Sequence, residues 1–226
     1  MSDVAQWGIA PPDTYAAVLG HVRPLERTRV LDIPCGQGGF ARQMAGEGAI
    51  CIAADRRAVP GNRPMVVADM NDGLPFRDGV FDVVTCLEGI EHTQNPSQLV
   101  REFSRILRPG GRLAVSTPNI HNLRSRIKFL LRGTLFWFDS RETTGIGHVN
   151  VIPYFILKYL LAVSGFEVTS VQTNAPVRPV LPAFVARWWQ RAFSHPTSVD
   201  RELNSHVLLT GEGLIVFAKK MHGGGR

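Results

Sequence analysis

Cysteine is scarce in this chain: Cys35, Cys51 and Cys86 are the only three among 226 residues. They are odd in number and form no C-x-x-C pair, which argues against a disulfide framework. All three lie in or beside apolar runs and read as reduced, mostly buried thiols of a cytoplasmic protein. Long apolar runs are missing as well. None approaches the ~18 residues that a membrane span needs, and residues 1–20 lack the basic start and apolar stretch of a secretion signal. Negative charge is in deficit, with 19 Asp and Glu against 25 Lys and Arg and a formal charge of +6. That balance favours an anionic partner: nucleic acid, a phosphorylated small molecule or the inner surface of a membrane. Internal repeats and low-complexity tracts are absent.

What is present is an alternation of short apolar runs with amphipathic segments, the pattern of βαβ units and a parallel sheet. Strands are expected at 29–34, 49–55, 65–70, 80–88, 112–119 and 167–173, with a last strand inside 208–220. Only nine residues (56–64) separate the second run from the third, too few for a full crossover helix. Asn95 and Pro96 predict a helix start. Leu99, Val100, Phe103, Ile106 and Leu107 then share one helical stripe, ended by Pro109-Gly110-Gly111. Residues 153–166 and 181–193 read as further helices. Segment 121–150 is basic and aromatic with little periodicity. The expected fold is α/β, a doubly wound, Rossmann-like, mostly parallel sheet of about seven strands with the last antiparallel. One domain would span 1–226: a cofactor core at 25–120, a lid or substrate insertion at 121–150, and C-terminal helices and strands at 151–220.

Gly36-Gln37-Gly38-Gly39-Phe40-Ala41 satisfies G-x-G-x-x-G/A between a strand and a helix. Several classes of nucleotide binder share that pattern, and the carboxylates around it discriminate between them. Asp32 sits inside the first strand, where a dinucleotide fold has an apolar residue or glycine. Asp55 ends the second run, placed to accept ribose hydroxyls. Asp69 ends the third, within reach of an adenine amino group.

"VLDIPCGQGG", Asp55, "VADM", "FDVVTCLEGIEH" and "LRPGGRLAVSTPN" together resemble the class I S-adenosylmethionine-dependent methyltransferases, closely over 25–120. The resemblance implies that Gly36 and Gly38 let the backbone approach the amino-acid end of S-adenosylmethionine. Asp32 would orient that loop and the ammonium group, Asp55 would hold the ribose, and Asp69 would meet the adenine. Pro34, Cys35, Met70 and Leu87 complete the implied cofactor set. Pro34 departs from the family, which has its first glycine there. Proline fixes φ and removes a donor, so a contact at 34 would have to use the carbonyl.

Glu88, Glu91 and His92 crowd the end of the fourth run, next to where the methyl donor would lie. If the chain turns helical after Glu88, Glu91 and His92 follow at i+3 and i+4 on one face. Two carboxylates and an imidazole suit a divalent cation (Mg, Mn or Zn), and His148 offers a fourth ligand. Two methyltransferase groups have a similar layout. The ubiquinone-pathway O-methyltransferases carry Glu-x-x-Glu-His and a later His. The enzymes that 2′-O-methylate small-RNA 3′ ends carry both, with a Thr-Pro-Asn like Thr117-Pro118-Asn119. The resemblance thus implies Glu88, Glu91, His92 and His148 as metal ligands and catalytic residues. Two other readings stand beside it: a metal-free histidine base, and a helix cap salt-bridged to an arginine.

The acceptor stays open among a sugar hydroxyl of a glycan, lipid-linked or free, a small catechol-like or quinone-pathway molecule, and a 3′-terminal ribose of RNA. Nucleic acid is the least favoured, because no appended RNA module is visible. The basic-aromatic stretch of Arg124, Arg126, Lys128, Phe129, Arg132, Phe136, Trp137 and Phe138 reads as a pocket wall or as a solvated helix face. Arg187, Trp188, Trp189 and Arg191 suit an interfacial helix for peripheral membrane contact, or a packing surface. A non-catalytic cofactor-binding domain is the alternative from another functional class.

Overall fold

Apolar residues of both parities along the strands bury both faces of one sheet, as a parallel α/β architecture requires. The strands are β1 (Arg29–Asp32), β2 (Ile50–Asp55), β3 (Met65–Val67), β4 (Phe81–Leu87), β5 (Leu107–Pro118), β6 (Phe166–Thr173) and β7 (Gly213–Lys220). Their order is β3-β2-β1-β4-β5-β7-β6. β7 runs antiparallel to both neighbours, and the other pairings are parallel. The computed structural model describes residues 10–58, 64–145, 147–174, 188, 191–192 and 206–222.

Helices cover the sheet on both sides: α1 (Pro12–Val22), α2 (Gly39–Gly46), α3 (Pro96–Ile106), α4 (Leu123–Arg132), α5 (Ser140–Gly145), α6 (Tyr154–Val163) and α7 (His206–Thr210). Leu31, Ile33, Val84 and Cys86 face a core shared with α3 and α6. Val30, Val83 and Leu87, one residue out of phase, face α1 and α2. That period of two is the strand pleat expressed as packing. The three cysteines are free and buried. No described helix is long and apolar enough to cross a membrane.

α3 begins as its sequence predicts, with Asn95 Oδ1 accepting from Gln98 N at 3.0 Å and Pro96 in the first turn. It ends one residue early. Leu107 leaves the helix and pairs with Phe81, so β5 starts there rather than at residue 112. Gly110, at φ +76°, takes the chain through the turn within this segment. β3 stops at Val67 rather than at residue 70. Asp69 turns the chain by accepting from Asn71 N at 2.9 Å, a side-chain turn that competes with the ladder.

Segment 121–150 is more regular than its sequence suggests, because Asn122 caps α4 by accepting from Ser125 N at 2.7 Å. Gly133, at φ +67°, closes the helix. Segment 208–220 divides into the end of α7 and β7. Asn119 holds the join: its Nδ2 donates to the Leu208 and Gly211 carbonyls at 2.7 and 2.9 Å. Between β2 and β3 no described residue is helical, in keeping with the short link. The expected helix at 181–193 lies largely outside the described residues, of which Trp188, Arg191 and Ala192 are helical.

Candidate active site

The carboxyl ends of β1, β2 and β4 converge where an open α/β sheet binds its ligands. After β1 the Ile33–Pro34 peptide is cis and the chain folds into a tight loop. Gly36 and Gly38 lie at φ +49° and +69°, the left-handed region that glycine adopts without steric cost. The Gly36 N–H donates to Asp55 Oδ2 at 3.0 Å, which ties the loop to β2. Cys35 N donates to the Ala54 carbonyl at 2.9 Å, a second tie to the same strand. Asp69 and Met70 lie beyond the end of β3, and Leu87 is buried at the end of β4.

Asp32 is buried beneath the loop and accepts from Thr85 Oγ1 at 2.8 Å. Burial pushes its carboxyl up to about 7 and the Asp55 charge adds to the rise, while the Thr85 hydrogen bond pulls the other way. Tyr15 of α1 stacks on Phe40 at a centroid distance of 4.7 Å. Its phenol is pushed up by burial first and by the Asp32 charge second, against a hydrogen bond with the Ala10 backbone. Nothing in the sequence singled Tyr15 out, because α1 precedes every motif.

The turn after β4 differs from its sequence expectation. Glu88 takes φ +48°, unusual for a residue with a side chain, so no helix continues from it. Its N–H donates to the Ser116 carbonyl at 3.2 Å and to Ser116 Oγ at 3.0 Å. Ser116 Oγ in turn donates to Glu88 Oε1 at 2.7 Å. Burial pushes the Glu88 carboxyl up to about 7 against that bond. Ile90–His92 then form one 3₁₀ turn. The i+3/i+4 stack with Glu88 therefore does not form.

Glu91 is fully buried, and among the described residues neither of its carboxylate oxygens has a hydrogen-bond partner. Thr117 Oγ1, also buried, lacks one too. The hydroxyl lies close enough to favour the ionised form slightly, yet no hydrogen bond closes between them. Burial first, and the Glu88 charge second, push the Glu91 carboxyl well above the carboxylate range. Among the described residues no arginine pairs with Glu91, one of the sequence-based readings.

His148 reaches this turn through its neighbours. The N–H groups of Val149 and Asn150 both donate to the Glu91 carbonyl, at 3.1 and 3.0 Å. Asn150 Nδ2 donates to the Thr93 carbonyl, and the Gly147 carbonyl meets His92 Nδ1 at 3.0 Å. His148 Nδ1 in turn meets the Trp137 carbonyl at 2.7 Å. A carbonyl only accepts, so each Nδ1 carries a proton in this arrangement. The two rings stand 4.9 Å apart. One ligand atom each from Glu91, His92 and His148 lies within 4.8 Å of the others. Glu88 is outside that group, held on Ser116.

Ser116 and the Trp137 and Gly147 carbonyls thus hold the side chains of this turn in place, a part that the sequence analysis did not assign to them. Residues 13–171 match the family described as "Methyltransferase domain". The chain is 40% identical over 99 residues to a demethylmenaquinone methyltransferase of Mycolicibacterium vanbaalenii, covering 40% of this chain and 43% of that protein. It is 33% identical over 129 residues to a ubiquinone biosynthesis O-methyltransferase of Sodalis glossinidius, covering 45% and 50%. The chain spans about half the length of the curated relatives it matches. A SAM-dependent methyltransferase from Archaeoglobus fulgidus superposes with a TM-score of 0.61 at 20% identity, covering 91% of this chain and 90% of that one. At that identity the likeness speaks for the fold alone.

Proposed function

Since the chain belongs to the class I S-adenosylmethionine-dependent methyltransferases, we propose that it methylates a hydroxyl of a diol-type acceptor, a sugar or a catechol-like ring, beside a divalent cation. The observation that carries the cation is Glu91, a buried carboxylate with both oxygens unpartnered and two imidazoles within 4.8 Å. A buried carboxylate in that state costs several kcal/mol unless it is protonated or given a counter-charge. Each imidazole is oriented by a carbonyl on its Nδ1, the arrangement that metal-binding histidines use. One carboxylate with two nitrogens favours Mn or Zn over Mg.

The cofactor, when bound, supplies an electrophilic methyl group, and the cation supplies charge that lowers the pKa of a coordinated hydroxyl. The protein's own part is to place and deprotonate. Gly36 and Gly38 open the loop to the amino-acid end of the cofactor, Asp32 and Asp55 take its ammonium and ribose, and Asp69 takes the adenine. Glu91, His92 and His148 hold the cation. Glu88 stands beside them, its carboxyl pushed up to about 7. A group of that pKa is suited to accept the hydroxyl proton near neutral pH. The name of the Sodalis relative, an O-methyltransferase, supports a hydroxyl acceptor.

The test is calorimetry with S-adenosylmethionine and with Mn²⁺, followed by turnover on a catechol and on its mono-methyl ether. Expected are binding of both ligands, turnover of the catechol alone, and loss of turnover with a chelator or with Glu91→Gln. Failure to bind the cofactor would remove the methyltransferase reading. Chelator-insensitive turnover would remove the cation.

A further inference from the structure

The end of α4 exposes several large apolar side chains within one turn. Leu130 and Leu131 are 83% and 75% exposed, the highest values for large apolar side chains among the described residues. Phe129, on the opposite side of the helix, is 56% exposed, and Ile127 and Trp137 are exposed as well. Side chains pointing in opposite directions from one turn are all uncovered, so the helix end projects from the body. Its first turn, by contrast, is anchored by buried Leu123 and Ser125.

The charge around this tip is net positive. Residues 121–145 hold five cations (Arg124, Arg126, Lys128, Arg132 and Arg141) against two carboxylates (Asp139 and Glu142). Lys128 is committed to Asp139 at 3.3 Å. Arg124 is exposed but reaches Glu212 at 3.9 Å and lies over the Phe136 ring, while Arg132 and Arg141 are exposed. An apolar projection with cations behind it is complementary to an anionic lipid surface, where the apolar tip enters the acyl boundary and the cations meet phosphates. A second copy of this face would oppose it with like charge. So would residues 175–205, which carry four arginines against two carboxylates.

We propose that the projecting end of α4 docks the protein on an anionic membrane through Phe129, Leu130, Leu131 and Arg132. This deepens the function proposed above, because it makes the acceptor an amphiphile drawn from the bilayer. The tip and the cation cluster belong to one segment: α4 leads to Trp137, whose carbonyl holds His148. A docked α4 therefore sets the site at the lipid surface.

The experiment is co-sedimentation of the full chain with vesicles of phosphatidylglycerol in phosphatidylcholine, and of phosphatidylcholine alone. Expected is binding to the anionic vesicles only, weakening as salt rises. Leu130→Glu with Leu131→Glu should lower that binding roughly tenfold or more, with calorimetric affinity for S-adenosylmethionine unchanged. Arg132→Glu, which keeps the apolar tip, should weaken binding to the anionic vesicles and decides the matter if the double variant misfolds. Absence of wild-type binding overturns the docking. So does full binding by both variants, or a change from dimer to monomer in the double variant with vesicle binding intact. Vesicle binding is read without turnover and cofactor binding without vesicles, so a failure of docking and a failure of the methyltransferase reading are told apart.

Discussion

Pro34 occupies the space that a side chain at residue 89 would need. A β-carbon on Gly89 would lie 2.3 Å from Pro34 Cδ and 2.8 Å from its Cγ. Gly89 has φ −134°, so its negative φ does not demand glycine. The proline that departs from the family's glycine is thus matched by a glycine in the facing turn. This contact packs the glycine loop after β1 directly against the turn that carries Glu91 and His92.

The pair makes a reciprocal prediction. Gly89→Ala should cost about 1–3 kcal/mol of stability by overpacking and weaken S-adenosylmethionine binding. Pro34→Gly in the same chain should restore most of both, because it removes the two nearest clashing atoms and leaves Cys86 Sγ, at 3.1 Å, as the nearest. Calorimetry and thermal melts on the two single variants and the double variant decide it. No recovery in the double variant would refute the steric account.

Asp32 predicts a pH dependence. Its folded pKa, about 7, lies above the unfolded value of about 3.9. The folded state therefore keeps the proton longer, and stability falls as pH rises from about 4 to about 7, by up to ~1.4 kcal/mol per unit for this one group. Asp32→Asn should flatten that decline and should also abolish tight cofactor binding. Melting curves of the cofactor-free protein between pH 5 and pH 8 measure the first effect. An identical slope in the variant would show that other groups set it.

Removal of a cation ligand has a readout that needs no acceptor. His148→Ala should weaken Mn²⁺ binding, seen by paramagnetic resonance, by a factor on the order of 10–100 or more. Cofactor affinity should stay intact. Glu91→Gln should abolish the thermal shift that Mn²⁺ produces while leaving cation-free stability unchanged or higher, since it removes an uncompensated buried carboxylate. An undiminished Mn²⁺ shift in both variants would refute the assignment.

Asn119 is expected to act on stability rather than on chemistry. Besides its bonds to the Leu208 and Gly211 carbonyls, its Oδ1 accepts from His121 N at 3.0 Å. Asn119→Ala would leave these groups without that partner and should cost ~2–4 kcal/mol. The denaturant midpoint should fall while cofactor affinity in the folded protein holds. An unmoved midpoint would show that the join does not depend on this side chain.

Much of the fold was legible in the sequence. The strands at β1, β2 and β4, the glycine loop, the Asn95 cap and the carboxylates Asp32 and Asp55 follow from local patterns: period-two burial, turn chemistry and residue spacing. Boundaries shifted where a local hydrogen bond competed with the ladder, as at Asp69, or where a strand partner claimed a residue from a helix, as at Leu107.

The site was legible as a set of residues but not as an arrangement. Sequence alone determined that Glu88, Glu91, His92 and His148 are available and that a nucleotide-type loop precedes them. Only the tertiary structure decided that Glu88 turns away to Ser116, that Glu91 is left buried and unpartnered, and that carbonyls at 137 and 147 orient the two histidines. Those outcomes depend on the left-handed backbone at Glu88 and on hydrogen bonds between distant segments, which no local pattern encodes. The same holds for Pro34 and Gly89, whose relationship exists only once β1 and β4 lie side by side.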